Sequence, residues 1–129
     1  MSVFEKDYVM RIIHEVIRVL IKAIYGEDID KEMYVVREET KEQGKLLKKL
    51  TDEGKIEEAE NQLLDGIEQG SGWDLEDALL FYGYLNQKDD KFLEAHHFSR
   101  KEIIEGIRYA ANYYGYGSMA ESLLEEAEE

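Results

Sequence analysis

"VMRIIHEVIRVLIKAIYG", residues 9–26, is the stretch of sequence that decides the fold. At 100° per residue, its charged and histidine side chains share an arc of about 100°, and nearly every other position is apolar. An apolar arc over more than half of a helix is wider than packing against a single core requires. The stretch therefore predicts a helix over residues 5–25 that lies at the centre of a bundle, surrounded by several other helices.

The same apolar arc permits two other interpretations. A helix that is shared between the core and a second copy of the chain has this pattern, which predicts a homodimer. The interaction side chains predicted on this helix are Ile12, Ile17, Val19 and Ile21. The third interpretation is a helix on a membrane surface, because Arg11, Arg18 and Lys22 share the polar face. These charges exclude an ordinary transmembrane helix, so we expect no membrane insertion.

The rest of the chain also predicts helices. There is no proline, glycines punctuate the sequence, and no strand-like alternation of apolar and polar residues occurs. The helices predicted after the first are 30–50, 56–69, 75–87 and 100–114, with a short one after residue 118. We expect a single all-α domain over residues 1–129, with about six helices in an orthogonal or TPR-like bundle and a frayed acidic tail at about 125–129.

Three patterns predict where helices begin. Asp74 is a favourable N-cap residue, because its carboxylate can accept a hydrogen bond from the first turn. The "SRKE" at 99–102 is a capping box, with Phe98 and Ile103 placed to form a hydrophobic staple around it. The "SMAE" at 118–121 repeats the capping-box pattern and predicts the start of the last helix.

Two weak internal similarities predict paired helices. "QLLDGIEQ" (62–69) resembles "EIIEGIRY" (102–109), since both carry two aliphatic residues, an acid, a glycine and an isoleucine. "LLKKLTDEGKIEEAENQLLDGIE" (46–68) resembles one tetratricopeptide hairpin, with Ala59 at the close-packing position. It lacks the usual proline and covers about one repeat, whereas at least three repeats are normally needed for stability.

Composition excludes several classes of function. The formal net charge is -14, and such a surface repels phosphate backbones, so we expect no nucleic-acid partner. Residues 1–25 hold four basic and three acidic groups, so the remaining residues carry -14 - 1 = -15. There is no cysteine, which removes disulfides, thiolate chemistry and cysteine-based zinc sites. This composition is compatible with the reducing cytoplasm, where we expect the protein to be.

"LEAHHFSRKE", residues 93–102, holds two of the three histidines. Adjacent residues do not share a helix face, and a catalytic zinc takes three protein ligands, so His96 and His97 alone do not predict a metal site. We expect one imidazole to pack or hydrogen-bond near the helix start and the other to face solvent. The alternative is a small metal-dependent enzyme or ligand-binding protein that uses the 89–97 loop, with His96, His97 and Asp90 as ligands. No catalytic residue or cofactor is predicted.

Tyrosines recur near the end of the chain. Tyr109, Tyr113 and Tyr116 are spaced by four and three residues, which places them along one helix face beside Tyr114. Such a pattern is typical of core or interface positions, because tyrosine buries its ring while its hydroxyl finds water. The alternative is a pocket for a ring or a peptide. We predict Tyr109 and Tyr113 as interaction residues.

The chain as a whole resembles a known family. "DYVMRII" followed by "LIKAIYG" near the start, and "FSRKEIIEGI" with "YYGYG" near the end, are similar to an uncharacterised family of small helical proteins from Gram-positive bacteria. The resemblance implies a helical fold and a cytoplasmic bacterial setting, and it carries no catalytic residues. The wide apolar arc of the first helix, on an otherwise charged chain with no catalytic motif, predicts a non-enzymatic protein-interaction or scaffold module that self-associates through its N-terminal helix.

Overall fold

The computed structural model describes residues 3–30, 42–70 and 72–128. Within these ranges the backbone forms seven α-helices and no strand, which confirms the predicted all-α bundle. The helices are α1 (Val3–Tyr25), α2 (Glu42–Asp52), α3 (Ile56–Gln69), α4 (Leu75–Asn86), α5 (Asp90–Ala95), α6 (Arg100–Tyr113) and α7 (Gly117–Glu128). The TPR-like arrangement and the single-domain boundaries stay predictions.

Helix α1 packs against α4, α6 and α7, so its broad apolar arc is explained by several neighbours. Leu20, Ile17 and Ile21 are buried in the core at 0%, 0% and 1% exposure. On the other flank of the arc, Ile12 and Val19 are half-exposed. The buried stripe of α1 therefore includes Ile17 and Ile21, and the side of the helix with Ile12 and Val19 is only partly covered.

Helix α4, rather than α1, is the helix that is enclosed on nearly every side. All of its residues except Glu76 are buried, and it packs against α1, α2 and α6. A helix that is apolar around its whole circumference is one that a core surrounds. Its sequence, "LEDALLFYGYLN", carries charge only in the first turn, which is consistent with this position.

Two helix-face glycines let aromatic rings approach closely. A Cβ built on Gly66 in α3 would lie 2.2 Å from Nε1 of Trp73, and one built on Gly106 in α6 would lie 2.2 Å from Cζ of Tyr82. These are the glycines shared by the two similar stretches at 62–69 and 102–109. Both stretches therefore use glycine for the same purpose, which is contact with an aromatic ring.

Helix α5 was not predicted, because the sequence indicated a loop between the fourth predicted helix and Ser99. Six residues are too few to show helical periodicity. The helix begins after Asp89, whose side chain accepts a hydrogen bond from the backbone N–H of Phe92 at 2.8 Å. Asp89 is thus an N-cap that could have been recognised from its residue type alone.

The capping predictions are confirmed at two of three positions. Asp74 and Ser99 each form a reciprocal capping box, Asp74 with Asp77 and Ser99 with Glu102. The third prediction is wrong, because α7 begins at Gly117 and Ser118 already lies inside the helix. A serine followed three residues later by glutamate also fits a helical first turn, so the pattern alone did not fix the register.

Two other predicted spans differ at their ends. Part of the helix predicted over 30–50 lies in 31–41, outside the described residues, and its described part is α2. The backbone of α7 is helical as far as Glu128, and fraying of the tail stays a prediction.

In the part of the chain that the structure describes, no helix has the length and hydropathy to cross a bilayer.

Candidate functional site

The histidine pair lies at the C-terminal end of α5. Nδ1 of His96 is 2.7 Å from the carbonyl oxygen of Phe92, and the two rings are in contact with centroids 4.4 Å apart. A Cβ built on Gly54 would lie 2.1 Å from Nε2 of His96. The imidazole therefore rests directly on the turn between α2 and α3, and it connects α5 to that turn.

His97 ends α5 through its backbone. Its φ is +56°, in the left-handed region that glycine favours, and its side chain is exposed. The N–H of His97 donates to the carbonyl of Glu94 at 3.2 Å, and the N–H of Phe98 donates to the carbonyl of Leu93 at 2.9 Å. These two bonds form a Schellman motif, with His97 in the place of the usual glycine. One imidazole packs and the other faces solvent, as predicted, but His96 packs on Phe92 and on the turn between α2 and α3. No contact of His96 with the capping box at Ser99 is seen among the described residues.

The alternative metal site is not assembled in the described part of the chain. Across 3–30, 42–70 and 72–128, no group of three or more histidine, cysteine, aspartate or glutamate side chains is placed to hold a metal ion. The carboxylate of Asp90 is instead in an ion pair with Arg100. His96, His97 and Asp90 are therefore close in sequence without forming a ligand set.

Arg100 is a hub that joins the ends of three helices. Its Nη2 donates to the carbonyls of Lys88 and Asn86 at 2.8 and 3.1 Å, and its Nε donates to the Asn86 side chain at 3.2 Å. Its Nη1 pairs with the Asp90 carboxylate. Nδ2 of Asn86 in turn donates to the carbonyl of Met10 in α1 at 2.8 Å. One guanidinium thus satisfies carbonyls at the end of α4 and positions α5 and α6 against it.

A second polar cluster joins α2 to the segment after α4. Nζ of Lys88 is 2.7 Å from the Asp52 carboxylate, and Nζ of Lys48 is 3.1 Å from it. The Tyr84 hydroxyl donates to the same carboxylate, and both ammonium groups lie over the Tyr84 ring. Desolvation opposes ionisation, but the hydrogen bonds from Lys88, Tyr84 and Lys48 outweigh it and lower the pKa of Asp52 to about 2. The carboxylate is thus held ionised in a structural role.

The four interaction residues predicted on α1 are divided by the structure. Ile17 and Ile21 lie in the core, where neither is accessible to a partner. Ile12 is half-exposed and packs against the core. Val19 is also half-exposed, and it is not among the partly buried side chains of the described residues that pack against the core. Val19 is therefore the member of this set that is partly exposed and is not seen to pack against the core of the described residues.

The predicted tyrosines lie on the surface. Six large hydrophobic side chains are exposed in the described residues, and four of them fall between residues 109 and 119. These four are Tyr109, Tyr113, Tyr116 and Met119. The rings of Tyr109 and Tyr113 stack with centroids 6.4 Å apart and an interplanar angle of 27°. We call this exposed pair, Tyr109 and Tyr113, the tyrosine face.

A hydrogen bond to α3 and a ring contact with Tyr114 hold the tyrosine face in place. The hydroxyl of Tyr109 donates to Glu68 in α3, and this hydrogen bond raises the pKa of Tyr109. The ring of Tyr113 makes an edge contact with Tyr114, whose hydroxyl donates to the carbonyl of Trp73 at 3.0 Å. Beside Tyr109 an open hollow of about 460 Å³ lies between α6 and α7. The hollow is open to solvent rather than enclosed.

Several residues that organise the molecule were missed from the sequence. Arginine is usually exposed at the protein surface, yet the side chain of Arg100 is only 11% exposed. One signal was present: α4 ends at Asn86 with no glycine after it, so its last carbonyls needed donors from elsewhere. The hydroxyl of the buried Tyr82 donates to Glu60 at 2.7 Å, and this bond has no signal in the local sequence. Burial raises the pKa of both groups.

Comparison with known proteins gives a family and no activity. No curated protein matches the chain significantly, and neither does any solved structure. A model of a protein family of unknown function matches residues 3–115, a range that includes α1 to α6. The resemblance to an uncharacterised family of small helical proteins is confirmed, and the Gram-positive origin stays a prediction. The chain belongs to this family of unknown function, DUF6483.

Proposed function

We propose that this chain is a non-enzymatic protein-interaction or scaffold module and that the tyrosine face is its contact surface. The observation that carries the proposal is the exposure of Tyr109 and Tyr113, at 43% and 49%, as a stacked pair. Large apolar side chains that cluster on the surface of a monomer mark interaction sites. Tyrosine is enriched in protein interfaces and among the residues that dominate binding energy.

The tyrosine face is also ordered before any partner binds. Tyr109 is fixed by its ring contact with Tyr113 and by its hydroxyl bond to Glu68. Ordering a flexible side chain at an interface costs roughly 0.5–1.5 kcal/mol, and a side chain that is already held avoids much of that cost. The arrangement therefore favours binding without a large loss of side-chain freedom.

The test compares three baits in lysate from the native cell. The baits are the wild type, the Tyr109→Ala/Tyr113→Ala double variant and a Tyr8→Ala control, since Tyr8 is exposed to a similar degree at 42%. We expect a defined set of proteins to bind the wild type and the control but not the double variant. Circular dichroism verifies that all three baits are folded. Identical protein sets on all three baits would contradict the proposal.

Self-association through α1 is a second candidate, and Val19 supports it. Val19 is half-exposed, and it is not among the partly buried side chains of the described residues that pack against the core. Two copies of a chain with net charge -14 repel each other, so the contact must outweigh that repulsion. Sedimentation velocity over a wide concentration range should show a dimer that Val19→Glu abolishes. A strict monomer at every concentration removes this candidate.

We also propose a cytoplasmic location. The cysteine-free sequence is compatible with a reducing compartment, and the acidic surface is typical of a protein kept in solution by its charge. Fractionation of the native cell, followed by detection with an antibody, tests the location. Recovery in a membrane or secreted fraction would contradict it.

A further inference from the structure

The charges around the tyrosine face are predominantly acidic. Glu105 lies four residues before Tyr109, which places it on the same face of α6, and it is exposed. On the other side, Glu68 of α3 holds the Tyr109 hydroxyl. The neighbouring cation, Arg108, is in an ion pair with Glu121 at 3.0 Å. Carboxylates thus flank the rings, and the adjacent positive charge is offset by its partner.

Flat rings beside carboxylates are the groups that a guanidinium recognises. A guanidinium is planar, stacks on aromatic faces and forms paired hydrogen bonds with carboxylates. Tyr109 and Tyr113 supply two stacked rings with an interplanar angle of 27°. Glu68 supplies a carboxylate bonded to the Tyr109 hydroxyl, and Glu105 supplies an exposed carboxylate about one turn before Tyr109 on α6. We propose that the occupant of the tyrosine face is an arginine-rich protein segment, whose guanidinium groups lie on the two rings and pair with the flanking carboxylates. This proposal rests on the proposed function and names its partner chemistry.

The net charge of the chain favours the same occupant. A body with charge -14 attracts cationic segments over distances of about 8–10 Å at ordinary ionic strength and repels anionic ones. The alternative occupant, an amphipathic helix, binds through its apolar face in a hydrophobic groove. The tyrosine face fits that partner less well, because both of its rings carry polar hydroxyl groups. The hollow beside Tyr109 is open, and its lining includes the polar side chains of Arg108, Ser118 and Glu121. An open, polar hollow suits a partner segment that lies across the surface.

The test measures binding of two synthetic peptides to the full chain by fluorescence anisotropy. Both peptides have twelve residues, one alternating arginine with serine and the other lysine with serine. We expect the arginine peptide to bind several-fold more tightly than the lysine peptide, because a guanidinium stacks on rings better than an ammonium does. The Tyr109→Ala/Tyr113→Ala variant should weaken arginine binding by about tenfold, and Tyr109→Phe/Tyr113→Phe should retain most of it, because the rings remain.

A matched pair of charge variants separates a site from diffuse attraction. Glu105→Gln should weaken binding of the arginine peptide by about threefold, whereas Glu58→Gln, which removes an exposed carboxylate from α3, should have little effect. Equal weakening by the two glutamine variants, equal affinity for the two peptides, or no binding at all would each overturn the proposal. A lysate partner that is lost on the alanine double variant while the peptides do not bind would leave the proposed function intact and refute only the arginine-rich partner.

Discussion

Gly106 matters because a side chain there would occupy the space of Tyr82. In an open helical site, replacing glycine by alanine stabilises by about 0.5–1 kcal/mol, because glycine loses more backbone freedom on folding. Here the added Cβ would lie 2.2 Å from the Tyr82 ring. We expect Gly106→Ala to destabilise the fold by about 2 kcal/mol in urea unfolding, since an overpacked core must shift to make room.

The control for this prediction removes the ring. In a Tyr82→Leu background the space above Gly106 is larger, so Gly106→Ala should cost much less there than in the wild type. The difference between the two backgrounds measures the coupling of the two residues. If the cost were the same in both backgrounds, the close approach of Gly106 to Tyr82 would not be the cause.

His97 is expected to be replaceable by glycine with a gain in stability. Its backbone lies in the left-handed region at φ +56°, which costs a residue with a Cβ about 1 kcal/mol. We predict that His97→Gly raises the free energy of unfolding by up to that amount. His97→Ala retains the Cβ and is the matched control, which should show no comparable gain. A loss of stability in His97→Gly would mean that the imidazole contributes more than its exposed position indicates.

At the scale of elements, two serines in similar sequence patterns should behave differently. Ser99 is the N-cap of α6, and its side chain accepts a hydrogen bond from the N–H of Glu102. Ser99→Ala should therefore cost about 1 kcal/mol of stability. Ser118 lies inside α7, so Ser118→Ala should be neutral or slightly stabilising, because alanine is the better helix former. Thermal unfolding of both variants checks this, and equal losses would contradict the observed start of α7.

Arg100 should be far more important than its neighbour Lys101. Removing its guanidinium leaves the carbonyls of Asn86 and Lys88 without these donors and leaves the Asp90 carboxylate without its counter-ion. We expect Arg100→Met to lower the free energy of unfolding by about 2–4 kcal/mol, given its nearly buried position. Lys101→Met, at an exposed position on the same turn, should change stability by less than about 0.5 kcal/mol. Similar losses of stability in both variants would contradict the conclusion that the Arg100 guanidinium stabilises the junction of α4, α5 and α6.

The helices could be predicted from sequence where they are long and periodic. The start of α6 followed from "SRKE" because a capping box is a local pattern, and its hydrogen bonds involve neighbouring residues only. The left-handed backbone of His97, which follows the end of α5, could not be predicted, because nothing in the local sequence marks that histidine for this conformation. Arg100 was missed because its partners are 10 to 14 residues away in sequence. Contacts that depend on how helices meet are fixed by packing and leave little trace in local sequence.

In the candidate site, too, local patterns could be predicted from the sequence, whereas features that depend on helix packing could not. Exposure of the tyrosines depended on which side of α6 the bundle covers, so the spacing of Tyr109 and Tyr113 was compatible with both core and surface. The apolar arc of α1 was compatible with a buried and a shared helix for the same reason. Burial of Ile17 and Ile21 followed from the placement of the neighbouring helices, which periodicity on α1 does not specify.

At the scale of the whole molecule, Asp52 joins α2 to the α4–α5 connection. It receives hydrogen bonds from Lys88, Lys48 and Tyr84, and these bind its ionised form more strongly than its neutral form. Its pKa is about 2 in the folded chain, against an ordinary value of 3.8. Because the folded pKa is the lower one, the carboxylate stabilises the fold above about pH 4, and this contribution is lost as the pH falls toward 2.

Asp52→Asn should therefore destabilise the protein at pH 7 and have less effect in acid. The side chain is 36% exposed, so we expect a loss of about 1 kcal/mol at neutral pH after solvent screening is allowed for. Urea unfolding at a series of pH values should show the difference between wild type and variant shrinking below about pH 4. Asp65→Asn, an exposed change of the same type on α3, is the control measured over the same series of pH values. A difference that stays constant from pH 7 to pH 2.5 would mean that the charge of Asp52 does not hold α2 to the bundle.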